Sequence, residues 1–426
     1  MSETSTIGFA GLSHLGIVYS MAAAVHGFSV LAFDERPGVA KELAAGRFPI
    51  TEPGLDDALR EHRRRIRYCD DVSSLAGCPL IFITLDVQTD EANNSNLAPL
   101  EALIDGVSAT AAPEAILVLM SQVPPGFCRR LASRLPSKLR LFYQVETLVF
   151  GNAVERAVHP ERYMVGCADV ASGMPELYSR YLQAFGCPVL PMRFESAELC
   201  KIAINCFLVS SVTTSNTLAE ICERIGADWS EIVPALRLDR RIGPYAYLSP
   251  GLGIAGGNLE RDLVTVQRLA AENGCDARVV TAWQQNSAYR RDWVLRQLFR
   301  LGLLASPAKT LLGVWGLAYK QDTHSTKNSP ALALLRVLAE YRCRAYDPEA
   351  RIDAGAFPHV GVCSSALEAA QGTDALVVMT PWKEFARVNL QALRRAMGGD
   401  KILDPYGVLD GQRCRELGFD YRQLGA

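Results

Sequence analysis

Residues 6–16 read TIGFAGLSHLG, an apolar run that leads through Gly11 and Ser13 to Gly16. The residues before Gly11 predict a buried strand, and the small residues after Leu15 predict a helix. A strand, this turn and a helix form the dinucleotide fingerprint GxGxxG, here with serine at the second glycine. The first glycine permits the tight turn, the second lets the backbone approach a pyrophosphate, and the third lets the helix pack on the strand. Serine is small enough to leave that approach nearly open.

The next strand-like run, FSVLAFD at residues 28–34, ends on an acidic side chain. Asp34 follows the fingerprint at close to the spacing of about 20 residues expected of a ribose-binding carboxylate. Such a carboxylate accepts from both ribose hydroxyls and repels a 2′-phosphate, so we expect NAD rather than NADP, although Arg36 opposes that choice. A pyrophosphate would lie on the helix N-terminus, where unpaired N–H groups favour anions, which gives the expected cofactor contacts Gly11, Ser13, His14, Leu15, Gly16 and Asp34. The alternative is a turn that holds no nucleotide.

Composition excludes several classes of protein. The 426 residues carry 44 Lys+Arg and 46 Asp+Glu, and a net charge of −2 argues against a nucleic-acid binder. The twelve cysteines form no CxxC pair, so no metal site is expected, and buried thiols fit a reducing cytoplasm. The start of the chain shows no signal-peptide pattern. The longest uncharged run, residues 202–219, is rich in Ser, Thr and Asn, so we expect a buried core helix and no membrane span.

Two regions alternate strand-like and helix-like segments, which predicts parallel βαβ units and the α/β class. In the first region, the further strand-like runs are residues 80–86, 115–123 and 140–146. In the second region, the runs are residues 309–317, 342–348, 374–382 and 401–407, with an amphipathic helix predicted over 330–341. The two regions could be a distant duplication, but no residue match supports one.

A helical middle separates the two regions. Residues 198–224 have almost no Gly or Pro and predict one long helix, buried on several sides. Such a helix packs either against its copy in a homodimer or inside its own chain. We therefore expect three domains, over residues 1–195, 196–300 and 301–426.

Further motifs follow one another in a fixed order along the chain. They are EPGL at 52–55, SQVPPG at 121–126, Glu146, the Glu198–Lys201–Asn205 helix face, DRRIG at 239–243, the segment 250–262, GLAYK at 316–320, NSP at 328–330, Asp347-Pro348, Trp382 and Phe385. With the fingerprint, they make the chain resemble the UDP-glucose/GDP-mannose dehydrogenase family over nearly its whole length.

The resemblance implies a fold and a reaction. It implies an N-terminal Rossmann domain for NAD, a central dimerisation helix and a C-terminal α/β domain that binds a nucleotide sugar. Members oxidise the sugar C6 alcohol to a carboxylate with two NAD. A cysteine captures the intermediate aldehyde, and water hydrolyses the thioester that follows.

The resemblance also implies roles for individual residues. Lys201 would stabilise an alkoxide, Asn205 would share its helix face, Asp262 would take the hydroxyl proton, and Glu146 would orient a water or a sugar hydroxyl. Further cofactor contacts would be Ser121, Gln122 and Lys327. Substrate contacts would be Arg241, Tyr247, Gly253 and Lys320.

Each role has a structural alternative. Lys201 could form a simple surface pair with Glu198, and Asp262 could cap the helix that follows it. Glu146 could be a charge at a strand end. Arg241 and Lys320 could be solvated surface cations.

The chain departs from the family pattern at its chemistry. Asn258 stands where the family has its nucleophilic cysteine, and an amide cannot form a thiolate. Gln122 replaces a threonine beside the reacting carbon, while Lys327 and Tyr406 replace two arginines. The sequence therefore keeps groups for hydride transfer and loses groups for thioester formation.

Four functions remain open on these grounds. A single two-electron oxidation of a sugar alcohol is favoured. The alternatives are an oxidation and re-reduction cycle that retains NAD, a catalytically silent binding homologue, and a full oxidation rescued by another nucleophile such as Glu260.

Overall fold

The computed structural model describes residues 6–90 and 93–426. The first five residues, on which the prediction of no signal peptide partly falls, lie outside this range. The chain divides after Ile204 into two compact units. Each unit is built on one largely parallel sheet, which confirms the α/β class.

The sheet of the first unit has the strand order β3-β2-β1-β4-β5-β6-β7-β8, and every pair is parallel except β6 with β7. Its strands are β1 (Ile7–Ala10), β2 (Val30–Phe33), β3 (Ile66–Cys69), β4 (Leu80–Ile83), β5 (Ile116–Leu119), β6 (Arg140–Gln144), β7 (Tyr163–Cys167) and β8 (Val189–Arg193). The first six follow the order of dinucleotide-binding folds.

Helices surround this sheet. They are α1 (His14–Val25), α2 (Val39–Ala44), α3 (Leu55–His62), α4 (Ala98–Thr110), α5 (Phe127–Arg134), α6 (Ala153–Val158) and α7 (Glu176–Gln183), with 3-10 turns at Arg63–Arg65 and Val72–Gly77. Strands β1, β2, β4 and β5 are buried at every residue, because a parallel sheet covered on both faces requires continuous apolar runs.

The second unit repeats the strand order around a second sheet, β11-β10-β9-β12-β13-β14, with every pair parallel. Its strands are β9 (Leu311–Trp315), β10 (Arg342–Tyr346), β11 (Val360–Val362), β12 (Ala375–Val378), β13 (Lys401–Leu403) and β14 (Asp420–Arg422). The helices after the long central one are α9 (Trp229–Leu238), α10 (Asn258–Asn273), α11 (Arg278–Arg291), α12 (Trp293–Arg300), α13 (Pro330–Val337), α14 (Ala366–Ala370), α15 (Leu390–Ala396) and α16 (Gly411–Glu416), with a 3-10 turn at Phe385–Arg387.

Helix α13 ends four residues before the prediction, which ran to Tyr341. Strand β10 begins at Arg342, so residues 338–341 are needed to turn the chain from helix to strand. The amphipathic pattern continues through these residues, so it does not predict that the helix ends before them.

The central helix α8 runs from Phe194 to Ile225. The expectation that it is buried on several sides is only partly right, because Phe207 is 76% exposed and Ile225 is 70% exposed. Among the described residues, α8 is the one helix long and apolar enough to cross a membrane, and 39% of its most apolar window is buried.

All twelve cysteines lie in the described ranges, and none of them forms a disulfide. Burial raises the pKa of eight of these thiols, including Cys206 and Cys343. Such thiols behave as small apolar side chains.

Candidate functional site

The turn after β1 has the geometry that the fingerprint predicts. Gly11 has a φ of +92°, which favours glycine. A Cβ on Gly16 would lie 2.0 Å from the Gly11 carbonyl oxygen and 2.8 Å from Thr84 Oγ1. Only glycine therefore permits this packing of α1 against the turn.

Asp34 follows β2 and holds the turn in place. Its Oδ2 accepts from Leu12 N at 2.7 Å, and its two oxygens accept from Arg36 Nε and Nη2 at 2.8 and 2.9 Å. Burial works to raise the pKa of Asp34, but the hydrogen bonds from Arg36 and Leu12 outweigh it and lower the pKa. Arg36 covers a carboxylate that is 2% exposed, so a ribose would have to share Asp34 with this cation.

Asp86, which follows β4, contacts the start of α1. Its Oδ2 accepts from Leu15 N at 3.3 Å, and its backbone N donates to Ser13 Oγ at 2.9 Å. Ser13 Oγ in turn donates to the Thr84 carbonyl at 3.1 Å. The sequence reasoning did not identify Asp86 as a site residue. The signal was available, because an acidic residue ends the apolar run 80–86.

A cavity of about 200 Å³ lies beside these groups. It is lined by Gly11, Asp34, Glu35, Arg36, Leu85, Asp86, Val87, Gln88, Asn96, Pro99, Leu100 and Leu103. At the end of β5, Ser121 Oγ is buried and has no hydrogen-bond partner among the residues that the structure describes. The glycine turn, the cavity and this unsatisfied hydroxyl fit a dinucleotide such as NAD.

The side chain of His14 is engaged within the protein. Its Nε2 lies 2.8 Å from Glu52 Oε1, and its ring packs on Phe150 at a centroid distance of 4.3 Å. Glu52 also accepts from the backbone N–H groups of Gly151 and Ala153, at 2.9 and 3.3 Å. The EPGL glutamate therefore fixes the first residue of α1.

Lys201 on α8 pairs with Glu146, the residue that follows β6 by two positions. Their charged atoms are 2.7 Å apart, and Lys201 Nζ also donates to the Glu146 carbonyl at 3.1 Å. The alternative of a surface pair between Lys201 and Glu198 is wrong. Glu198 is fully buried, and it accepts from Gly126 N and Cys128 N at 2.6 and 2.7 Å.

Asn205 lies one turn after Lys201 on α8 and donates from Nδ2 to Asp262 Oδ2 at 2.5 Å. Both residues are buried, with 8% and 1% exposure. Asp262 lies inside α10, whose N-cap is Gly257, so the alternative of Asp262 as a helix cap is wrong. Arg261 Nε is 3.4 Å from the same carboxylate, which places a cation beside it.

Asn258 is the exposed first residue of α10. Cys206 packs into an apolar cluster with Leu259 and Ile254. Burial, with a smaller effect from Asp262, raises the pKa of Cys206 to about 11. Glu260, the alternative nucleophile, accepts a hydrogen bond from Asn328, and burial raises its pKa.

The expected substrate residues lie in the second unit. Arg241 is 88% exposed at its side chain and pairs with Asp239 at 2.6 Å, while Tyr247 is 48% exposed. Lys320 Nζ lies 5.8 Å from the Tyr319 ring centroid. Gly253 has a φ of +78°, and a Cβ there would meet the Ser287 carbonyl oxygen at 2.5 Å.

The expected contacts Gln122 and Lys327 belong to the first and the second unit respectively. Gln122 falls between β5 and α5, and Lys327 precedes α13. Tyr406, which the resemblance sets against a family arginine, is half-buried, and burial raises its pKa.

Three domain models of one family match the chain in order. They are those of the UDP-glucose/GDP-mannose dehydrogenase family: the NAD binding domain over residues 5–182, the central domain over 195–288 and the UDP binding domain over 313–411.

Individual relatives match over almost the whole chain. The chain is 28% identical to the UDP-glucose 6-dehydrogenase of Pseudomonas aeruginosa, over 97% of this chain and 96% of that protein. It is 26% identical to UDP-glucose 6-dehydrogenase TuaD of Bacillus subtilis, over 98% and 93%.

A solved structure matches to the same extent. A UDP-glucose dehydrogenase from the archaeon Pyrobaculum islandicum is 25% identical, with a TM-score of 0.85, over 99% of this chain and 98% of that chain. The chain belongs to the UDP-glucose/GDP-mannose dehydrogenase family, whose members are NAD-dependent nucleotide-sugar dehydrogenases.

Proposed function

We propose that this protein oxidises an alcohol of a nucleotide sugar by one two-electron step and releases a carbonyl product. The observation that carries the proposal is Asn258, which stands where the family resemblance places a nucleophilic cysteine. An amide is not a nucleophile at neutral pH, so the carbonyl is not captured as a thiohemiacetal. The names of the relatives make a UDP-sugar the first substrate class to test.

The groups that remain suit the removal of a hydride from an alcohol. When bound, NAD supplies the hydride acceptor. Lys201, held by Glu146 at 2.7 Å, stabilises negative charge on the substrate oxygen. Asp262 accepts the hydroxyl proton, and its bond from Asn205 fixes the carboxylate for that role.

Two groups near Asn258 could be considered as replacement nucleophiles, Glu260 and Cys206, the thiol that packs with Leu259. Neither is suited to attack a carbonyl. Burial raises the pKa of Cys206 to about 11, so this thiol is largely un-ionised at neutral pH. Glu260 is engaged by Asn328. These contacts favour a single oxidation over a rescued four-electron reaction.

A second candidate is a homologue that binds ligands without turnover. Two contacts support this candidate, that of Arg36 with Asp34 and that of Asp86 with α1. In both, side chains of the protein itself engage hydrogen-bonding groups that the cofactor would need. Against it, a silent protein has no need for the Lys201–Glu146 and Asn205–Asp262 pairs.

One assay separates these functions. The purified protein is incubated with NAD and a panel of nucleotide sugars that begins with UDP-glucose, and NADH per sugar and product mass are measured. One NADH per sugar with a product two hydrogens lighter supports a single oxidation. Two NADH with a uronate product would refute it, as would an altered sugar without net NADH. No turnover with any sugar would favour the silent homologue.

The proposed assembly is a cytoplasmic homodimer formed through α8. Exposed Phe207, Leu218, Ile221 and Ile225 recur at helical spacing and share one face of the helix. A second copy of that face, rather than lipid, is the proposed cover, since the polar residues Ser211 and Thr214 fall on it between Phe207 and Leu218. We retain three domains over residues 1–195, 196–300 and 301–426 as the proposed organisation.

A further inference from the structure

We propose that the Asp86 carboxylate occupies the place of a cofactor phosphate at the N-terminus of α1, and that it must withdraw before NAD binds. Asp86 is then the residue that sets the affinity for the cofactor. The inference rests on the NAD site of the proposed function, and it does not depend on which sugar reacts.

Asp86 contacts a backbone N–H group at the N-terminus of α1. The N-terminus of the helix after the first strand of such a sheet is where a pyrophosphate binds, through free N–H groups. Here Leu15 N donates to Asp86 Oδ2 at 3.3 Å. One of the donors that a phosphate would use therefore already has an anionic partner from the chain itself.

The neighbouring contacts hold Asp86 at this position. Its backbone N donates to Ser13 Oγ at 2.9 Å, and Ser13 Oγ donates to the Thr84 carbonyl at 3.1 Å. The serine that replaces the second glycine of the fingerprint thus links the end of β4 to the start of α1. A glycine at position 13 could not form this link.

The cavity beside Asp86 is lined by more acidic than basic side chains. Its lining includes the carboxylates of Asp34, Glu35 and Asp86 and one cation, Arg36, which is bound to Asp34. A diphosphate brought to α1 with Asp86 in place would meet a like charge at hydrogen-bond range. Asp86 is exposed as a residue, although burial of its carboxylate against the start of α1 raises its pKa, so rotation about its own bonds can move the carboxylate without repacking the core.

The test compares ligands with and without phosphates. Dissociation constants for NAD and for adenosine are measured by calorimetry on the full chain, as wild type, Asp86→Asn and Glu35→Gln. Asp86→Asn should bind NAD about tenfold more tightly, because it removes the competing anion. It should bind adenosine, which has no phosphate, as the wild type does. Glu35→Gln neutralises a carboxylate of the same cavity and should leave the preference for NAD over adenosine unchanged.

Several results would overturn the inference. The inference fails if Asp86→Asn binds NAD no more tightly than wild type, if it gains affinity equally for adenosine, or if no variant binds NAD at all. Asp86→Ser serves as a second variant, and circular dichroism checks that both fold. Binding is measured without sugar, so a failure to form NADH counts against the proposed function alone.

Discussion

Asn258 begins α10 with an exposed amide, at the position where the family resemblance places a nucleophile. A thiol placed there would sit at the N-terminus of a 16-residue helix, where the helix dipole lowers a thiol pKa. Asn258→Cys should therefore raise the NADH formed per sugar from one toward two and convert the product to an acid. Stoichiometry and mass spectrometry of the product measure both changes.

Asn258→Ser is the matched control, because its hydroxyl is small but not ionised at neutral pH. It should keep the stoichiometry of the wild type. The interpretation fails if Asn258→Cys presents a reactive thiol and still forms one NADH per sugar.

Asp34 links stability to pH. Its pKa in the folded protein lies below the ordinary value of 3.8. The ionised carboxylate therefore adds to the free energy of unfolding above pH 3.8, and this stabilisation is lost as pH falls through the folded pKa. Asp34→Asn should lower the free energy of unfolding at pH 7 by about 1–2 kcal/mol, because Arg36 loses its ionic partner. Arg36 is 55% exposed, so solvent screening favours the lower end of that range.

Urea unfolding at several pH values measures this effect. The difference in free energy of unfolding between Asp34→Asn and wild type should have its largest value above about pH 5, and it should shrink as pH falls below 3.8. Asp70→Asn is the control, since it alters an exposed carboxylate that makes no hydrogen bond or ion pair with the residues that the structure describes. A pH-independent difference for Asp34→Asn would contradict the linkage.

At the scale of elements, Gly16 decides how α1 packs on β1. Gly16→Ala would place a Cβ 2.0 Å from the Gly11 carbonyl oxygen, so the turn must shift. We expect a loss of about 1–3 kcal/mol of stability, as for other overpacked sites, together with weaker NAD binding. Thermal unfolding and calorimetry measure the two effects.

Gly106→Ala in α4 of the same unit is the matched control. No atom lies within 4 Å of a Cβ built there, so alanine should stabilise the helix by about 0.5–1 kcal/mol. If both substitutions had the same effect on NAD binding, the close packing of Gly16 would not be the cause.

The two sheets share a local device as well as a strand order. In the first unit, Asp34 accepts from Leu12 N after Gly11, and in the second, Asp347 accepts from Leu317 N at 2.6 Å after Gly316. Both glycines have a φ of +92°. In each sheet, the carboxylate after the second strand therefore stabilises the turn after the first strand, whether or not it also binds a ligand.

The sequence predicted the central strands of both sheets, because burial on both faces demands continuous apolar runs. It did not identify β3, β8, β11 or β14, whose residues are partly exposed or few, and it also missed β7, although β7 is buried at every residue. Lys201 and Asn205 were correctly placed on one helix. Their partners, and the contact of Asp86 with α1, depend on which strands and helices become neighbours, and local periodicity carries no such information.

At the scale of the whole molecule, the exposed face of α8 predicts the assembly. Phe207→Glu should raise the dimer dissociation constant at least about tenfold, because a charge would replace a central apolar contact. Phe299→Glu on α12 is the control, since Phe299 is 75% exposed against 76% for Phe207. Sedimentation velocity over a range of concentrations measures both. Equal weakening by the two variants, or a wild type that is monomeric throughout, would contradict dimerisation through α8.

The state of the thiols has a consequence for the chemistry that the protein can withstand. Dehydrogenases that depend on a reactive cysteine are inactivated by peroxide and by alkylating reagents, since the thiolate is the species that these attack. Here the resemblance places asparagine at that position, and burial keeps most of the cysteines in the unreactive thiol form. The single oxidation proposed for this protein would therefore withstand oxidising conditions that inactivate dehydrogenases with a catalytic sulfur.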